Sequence, residues 1–205
     1  TVGAGLPILD TYRKLVDSGD RVLKIEGCVS GTLGYLLTEV SRGKPFSKAL
    51  GEAMEKGYTE PDPRDDLSGA DVGRKALILG RLLGFAGEPD DIAVESLVPM
   101  PARKLGKDEF LARLPEWDAE WRRRVEAAQA KGAVLRYVAT VTARRIKVGL
   151  ERAGQGNPFA ALAGTDNQIA FTTVRYRSPL VITGAGAGPD VTAGGVLNDI
   201  LELVE

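Results

Sequence analysis

The sequence contains no histidine. That absence excludes Ser-His-Asp and Cys-His catalysis, and with them the histidine-rich zinc sites. Any proton transfer must then fall to Lys, Asp, Glu, Tyr or water. The single cysteine, Cys28, leaves no internal disulfide to form and fits a reducing, cytoplasmic setting. It lies in the apolar stretch Val22 to Val29 and reads as a buried core residue rather than a nucleophile. An excess of either charge is also missing: 27 Lys and Arg face 28 Asp and Glu, a formal net charge of -1. Without a basic surplus to neutralise phosphates, nucleic acid is not an expected partner. No apolar run approaches the ~20 residues of a membrane span. No signal peptide opens the chain, and no membrane partner is expected. The first residue is Thr1 rather than Met, which suggests a fragment or a processed form.

What remains is an ordinary globular composition, 43% hydrophobic and 27% charged over 205 residues. That length allows one good core or two small ones. Pro7 suits the first turn of a helix whose apolar positions are Ile8, Leu9, Tyr12, Leu15 and Val16, with Gly19 as the stop. Arg21 to Val29 reads as a strand. Leu33, Leu36, Leu37 and Val40 form a second helical stripe ending near Gly43. Ser47 is placed to cap a third helix that Gly57 terminates. Residues 58 to 69 read as a polar loop and Gly69 to Gly84 as a helix. Ile92 to Val98 reads as a strand, and Asp108 to Lys131 as helices with a charged outer face. From Ala133 the period changes to two. Val134 to Val141 and Ile146 to Leu150 predict a hairpin, followed by strands at Gln168 to Tyr176 and Leu180 to Thr183 and a closing helix at Pro189 to Val204. The expectation is an α+β fold with a mixed, mainly antiparallel sheet and helices on one face. No βαβ series supports a Rossmann domain within this chain.

The densest polar segment runs from Gly57 to Lys75. Pro61 and Pro63 stiffen it, so it can hold carboxylates at set positions. Within the loop 58–69 one arginine sits among four acids, which leaves some carboxylates without a local partner; a bound ammonium group would supply one. Asp71 and Lys75 stand four apart at the start of a helix and share a face. On spacing alone they fit a solvated surface ion pair, and the loop fits a polar turn before a capped helix.

Four separated motifs bear on this choice. They are Thr1-Val2-Gly3-Ala4-Gly5-Leu6-Pro7-Ile8, then Ile25-Glu26-Gly27 with Ser30-Gly31-Thr32-Leu33 and Tyr35. The third is Gly57-Tyr58-Thr59-Glu60-Pro61-Asp62-Pro63-Arg64-Asp65-Asp66-Leu67 with Gly69, Asp71-Val72 and Arg74-Lys75, and the fourth Gly184-Ala185-Gly186-Ala187-Gly188 with Val191-Thr192-Ala193. In family order and over essentially the whole chain, these resemble the homoserine dehydrogenases. Gly73 and Gly34 stand where Ala and Ser are expected in many relatives.

The resemblance implies reversible reduction of L-aspartate 4-semialdehyde to L-homoserine with NADP or NAD, on the way to threonine, methionine and isoleucine. It implies Lys75 as proton donor to the carbonyl oxygen, with Asp71 beside it in the catalytic pair. Asp71 and Glu60 would bind substrate, Glu60 meeting its amino group. Asp66, Thr32, Gly31 and Tyr58 would be further pocket residues. Gly57, Gly188, Gly186 and Gly184 would lie on the cofactor side. Val2, Ala4 and Leu6 would offer backbone oxygens to a monovalent cation such as sodium. Read without the resemblance, Gly184 to Gly188 is a structural tight turn that lacks the Rossmann fingerprint, with Asp190 or Thr192 as cap of the following helix, and the Val2 to Leu6 segment is simple loop packing.

The resemblance also implies a preceding Rossmann domain that supplies most of the dinucleotide site, and homodimers formed through the sheet. On this reading residues 1–205 are one catalytic and dimerisation domain. Its parts are a substrate-binding helical part (1–132), a sheet-rich dimerisation part (133–183), and a glycine-rich loop with a C-terminal helix returning towards the nucleotide domain (184–205). The chain alone is expected to fold but to turn over little substrate. Two other readings share much of the pattern: another two-domain amino-acid dehydrogenase, and a dimerisation or regulatory module with a relic pocket.

Overall fold

The computed structural model describes residues 2–204. Along the chain come α1 (Ile8–Asp17), β1 (Val22–Cys28), α2 (Gly31–Ser41), α3 (Phe46–Glu55), α4 (Pro63–Leu67) and α5 (Ala70–Leu82). Then follow β2 (Ala93–Val94), α6 (Lys107–Arg113), α7 (Asp118–Gln129), β3 (Val134–Val141), β4 (Ile146–Ala153), β5 (Asp166–Thr173), β6 (Leu180–Ala185) and α8 (Pro189–Glu202). The six strands make one sheet in the order β2-β4-β3-β1-β5-β6. Only the β2–β4 pair is parallel; the other neighbours are antiparallel. The α+β architecture expected from the change of period is the one formed.

Alternation along the strands explains the layering. Leu135, Tyr137, Ala139 and Val141 of β3, with Ile25 of β1 and Ile169 and Phe171 of β5, face the helices and join Leu36, Leu37, Leu50, Val72 and Leu79 in the main core. Each such leucine, fully buried, contributes on the order of 1.5–3 kcal/mol. Phe46 stacks on Trp121 with ring centroids 4.8 Å apart, pinning α3 to α7. On the opposite face a smaller cluster gathers Cys28, Val138, Ala153 and Ala170 under Phe159 and Leu162. Arg136 holds that cover down. Its buried guanidinium donates to the carbonyls of Leu135, Phe159, Ala160 and Leu162.

Three local expectations change. Ser47 does not cap α3; the cap is Pro45, and the Ser47 N–H and hydroxyl both turn to the Asp118 carboxylate at 2.7 Å. A tertiary carboxylate outcompetes the local cap. The polar loop contains α4, because Asp62 accepts from the Arg64 N–H and Pro63 fills the first helical position. The strand expected over Ile92 to Val98 shrinks to Ala93–Val94, since Leu97 N–H instead bonds the Leu67 carbonyl at 2.8 Å.

Cys28 is 5% exposed, and burial pushes its thiol up to about 12. A titration with a thiol reagent at pH 8 should leave native protein unreacted and give full reaction after denaturation. Fast modification of native protein would contradict the burial.

Candidate active site

Lys75 sits on the second turn of α5, and Gly69 sets where that helix begins. Gly69 is its N-cap in the left-handed region, φ 75°. The Lys75 ammonium donates to Asp71 Oδ2 at 2.8 Å and to the Val29 carbonyl at 3.0 Å. An ammonium carries three N–H groups. Two are taken by these acceptors, and no other bond of Lys75 occurs among the described residues, so one N–H remains for an added group. The Lys75 side chain is 24% exposed, so its ammonium is partly open to solvent. Burial works against the Asp71 charge, yet the Lys75 hydrogen bond and charge, with Arg74 at 3.4 Å, hold its carboxyl below the usual value.

Val29 directly follows β1, and Ser30 then caps α2 by accepting from the Leu33 N–H at 3.2 Å. This places Gly31 and Thr32 in the first turn of α2, next to the lysine. Gly31 leaves room for the carbonyl of Thr165, which a Cβ would meet at 3.2 Å. Asp66 of α4 ties the parts together. Its Oδ1 accepts from the Thr32 hydroxyl at 2.9 Å and its Oδ2 from the Glu60 N–H at 2.8 Å. The single Thr32 O–H is shared between that carboxylate and the Tyr58 carbonyl. The loop from Tyr58 to Glu60 is thereby latched to α2, and so to the strand end that holds Lys75. Glu60 projects an exposed side chain with no ion-pair partner among the described residues. Arg64, the local arginine, is committed to Asp62 at 2.6 Å and to the Leu105 carbonyl at 2.6 Å. Lys75, Asp71, Asp66, Thr32, Gly31, Tyr58 and the Glu60 backbone are therefore linked through α2, α4, α5 and the end of β1.

Sequence reasoning missed the Val29 carbonyl, because a backbone acceptor has no residue signature. It also left Tyr35 without a role. That ring meets Tyr58 edge-on at 5.2 Å, and its hydroxyl bridges Lys56 at 2.9 Å and Glu52 at 3.1 Å. A tyrosine four residues after Gly31 on a helix that carries site residues was the available signal.

The glycines fall into two groups. Gly57, φ 69°, ends α3 in open space. Gly184, Gly186 and Gly188 lead from β6 into α8. Register places this turn at the same end of the sheet as Val29, since Cys28 pairs with Gln168 and Asp166 with Ala185. Neither Asp190 nor Thr192 caps α8; Gly188, φ 128°, is the N-cap, and it has no side chain to offer. The Val2 to Leu6 segment packs along α8, with the Gly5 α-carbon so near Val191 and Gly195 that a Cβ would meet the Val191 carbonyl at 2.2 Å.

Fold and site together define a class of α+β domain in which a lysine is held between a carboxylate and a backbone carbonyl, in a sequence without histidine. Comparison makes the class specific: the family model for homoserine dehydrogenase matches residues 7–201. The chain belongs to the homoserine dehydrogenase family. It is 51% identical to a chloroplastic bifunctional aspartokinase/homoserine dehydrogenase of Zea mays, over 99% of this chain and 23% of that protein. It is 44% identical to the homoserine dehydrogenase of Saccharomyces cerevisiae, over 100% of this chain and 59% of that protein. A Candida auris protein of unknown function superposes with TM-score 0.93 at 47% identity, covering 98% of this chain and 59% of the other. A hyperthermophilic archaeal homoserine dehydrogenase in complex with NADPH superposes with TM-score 0.71 at 27% identity, covering 98% and 53%. The chain thus spans well under two thirds of the length of these relatives.

Proposed function

We propose that this chain is the substrate-binding and catalytic part of a homoserine dehydrogenase, which interconverts L-aspartate 4-semialdehyde and L-homoserine on the route to threonine, methionine and isoleucine. The observation that carries the reading is the two-point hold on the Lys75 ammonium, which leaves a third N–H to aim. Asp71 and the Val29 carbonyl fix the direction of that N–H. The substrate carbonyl oxygen accepts it, and as negative charge builds on that oxygen Lys75 transfers its proton to give the alcohol. Glu60, whose carboxylate is unpaired among the described residues, receives the substrate ammonium. Asp66 keeps Glu60 and Thr32 at a fixed separation, which orients a substrate bound at both ends.

A nicotinamide dinucleotide, NADPH in the archaeal relative, supplies the hydride when bound. The turn at 184–188 suits its close approach: the N–H groups of Ala187 and Gly188 have no partner among the described residues, and Gly188 brings no side chain. Most of the dinucleotide would be held by an N-terminal Rossmann domain of the complete enzyme. A monovalent cation fits less well. Val2, Ala4 and Leu6 offer only uncharged carbonyls, and the Leu6 carbonyl already accepts from Ile8 N–H at 2.7 Å. These residues do not by themselves make a cation site, and no step depends on one.

The test is semialdehyde-dependent oxidation of NADPH or NADH. Turnover is expected from the complete enzyme and little from residues 1–205 alone. Absence of turnover in the complete enzyme would sink the assignment, and robust turnover by residues 1–205 would sink the need for a Rossmann partner.

The sheet face around Lys24, Thr172 and Val181 is partly open and continuous with the small cluster under Phe159, which supports pairing of two copies through the sheet. A monomer in analytical ultracentrifugation of the complete enzyme would overturn that. A cytoplasmic site fits the free, buried Cys28; fractionation into an oxidising compartment would contradict it. No helix among the described residues is long and apolar enough to cross a membrane.

A further inference from the structure

Tyr35 lies on α2 three residues beyond Thr32, so the two side chains share a helix face. Both of them hold Tyr58. The Thr32 hydroxyl reaches the Tyr58 carbonyl, and the Tyr35 ring meets the Tyr58 ring edge-on with centroids 5.2 Å apart. The Tyr35 hydroxyl takes a further hold two residues earlier, accepting from the Lys56 ammonium at 2.9 Å. Tyr35 is itself well anchored. It is 8% exposed, and its hydroxyl donates to Glu52 of α3 at 3.1 Å. Glu52 is tied to Lys44 at 2.6 Å, and Lys44 to Glu39 at 2.6 Å. Glu39 lies on α2, so this chain of polar links begins and ends on the helix that carries Tyr35.

What this grip spans is Gly57. That residue follows α3 at φ 69°, and a Cβ there would meet nothing within 4 Å. A glycine in open space is a soft joint in the backbone, and the loop that carries Glu60 hangs from it. Lys56 lies on one side of the joint and Tyr58 on the other, so Tyr35 clamps across it. Lys75 needs no such clamp, because Asp71 and the Val29 carbonyl already fix it. We infer that Tyr35 is a positioning residue that selects substrate length. By closing the Gly57 joint it sets the distance from the Glu60 carboxylate, which takes the amino end, to the Lys75 ammonium, which takes the oxygen end. The inference rests on the dehydrogenase reading above and adds a specificity residue to it. Tyr35 acts through the loop and not on the reacting atoms. With the joint loosened, an amino alcohol one methylene longer gains on the natural length, because neither is then held at a fixed span.

The experiment has two readouts on the complete enzyme. One is the ratio of kcat/KM for L-homoserine to that for L-2-amino-5-hydroxypentanoate, which is one methylene longer. The other is amide hydrogen exchange of residues 57–60 without ligand. Tyr35→Leu removes both the ring edge and the hydroxyl. The preference for homoserine should fall by about tenfold, with KM rising more than kcat falls, and exchange at 57–60 should quicken by about tenfold. Lys56→Met changes an exposed residue and should lower the preference by about threefold. Tyr35→Phe breaks the same hydrogen bond, so Tyr35→Phe with Lys56→Met should lose no more than either alone. If Tyr35→Leu does not fold, those two variants decide. A merely structural tyrosine would slow both alcohols equally. An unchanged ratio in Tyr35→Leu, or in both Tyr35→Phe and Lys56→Met, would overturn the inference, and so would unchanged exchange at 57–60. Should the wild-type enzyme oxidise neither alcohol, the dehydrogenase reading itself would fall, while the exchange rates would still report on the clamp.

Discussion

Replacing Lys75 by alanine in the complete enzyme should lower kcat by about ten-thousandfold or more while leaving the melting temperature nearly unchanged. The size follows from losing both a positioned proton donor and the cation that faces developing charge, each of which supplies roughly 10²–10³ in rate. The small stability cost follows from the surroundings. Asp71 is 52% exposed and returns to water when its partner goes, so an exposed pair is being broken rather than a buried charge stranded. Lys75→Arg should be nearly as slow. A guanidinium retains the charge but has a different shape and surrenders no proton at accessible pH. Asp71→Asn should lose less, because an amide still accepts from Lys75 and preserves its aim. Steady-state kinetics with thermal unfolding on the same samples checks all three. Near-normal turnover in Lys75→Ala would remove the residue from the mechanism.

How far the sequence alone reached depended on the range of the interaction. Strands with a period of two and helices with strong stripes, such as Leu33, Leu36, Leu37 and Val40, were legible because each carries its own pattern. Ser47 misled because a cap is a local rule and Asp118 lies 71 residues away. The β2 segment misled because Ile92 to Val98 is apolar enough for a strand, but the neighbouring β4 edge pairs with only Ala93 and Val94. Within the candidate site, the i,i+4 spacing made the Asp71–Lys75 pair visible and left its purpose open between solvated surface and chemistry. The third partner, the Val29 carbonyl, was illegible, since it depends on where β1 ends relative to α5. Asp66 illustrates the middle case. Its presence in an acid-rich loop was plain, but that it would latch Thr32 to Glu60 required the α4 turn that Asp62 and Pro63 create.

Gly69→Ala should destabilise the protein by about 3 kcal/mol, the sum of two effects with separate tests. The first is backbone: alanine at φ 75° costs on the order of 1–2 kcal/mol. The second is contact. A Cβ there would lie 1.9 Å from the Tyr137 hydroxyl oxygen and 2.9 Å from its Cζ. Tyr137 has nowhere to retreat, being 4% exposed with its hydroxyl donating to the Glu95 carbonyl at 2.6 Å. Displacing it adds a further 1–3 kcal/mol or so of strain and lost hydrogen bonding. For a chain of this size the melting temperature should drop by roughly 10 °C. Gly57→Ala is the control. Its φ of 69° imposes the same backbone cost, but a Cβ there meets nothing within 4 Å, so the drop should be only about half as large. Adding Tyr137→Phe removes the clashing oxygen, and Gly69→Ala should then cost about 1 kcal/mol less than in the wild type. Equal costs for Gly57→Ala and Gly69→Ala would show that the contact does not exist. Because Gly69 fixes the first turn of the helix that carries Asp71 and Lys75, the folded Gly69→Ala protein should also lose kcat, and Tyr137→Phe should restore part of it.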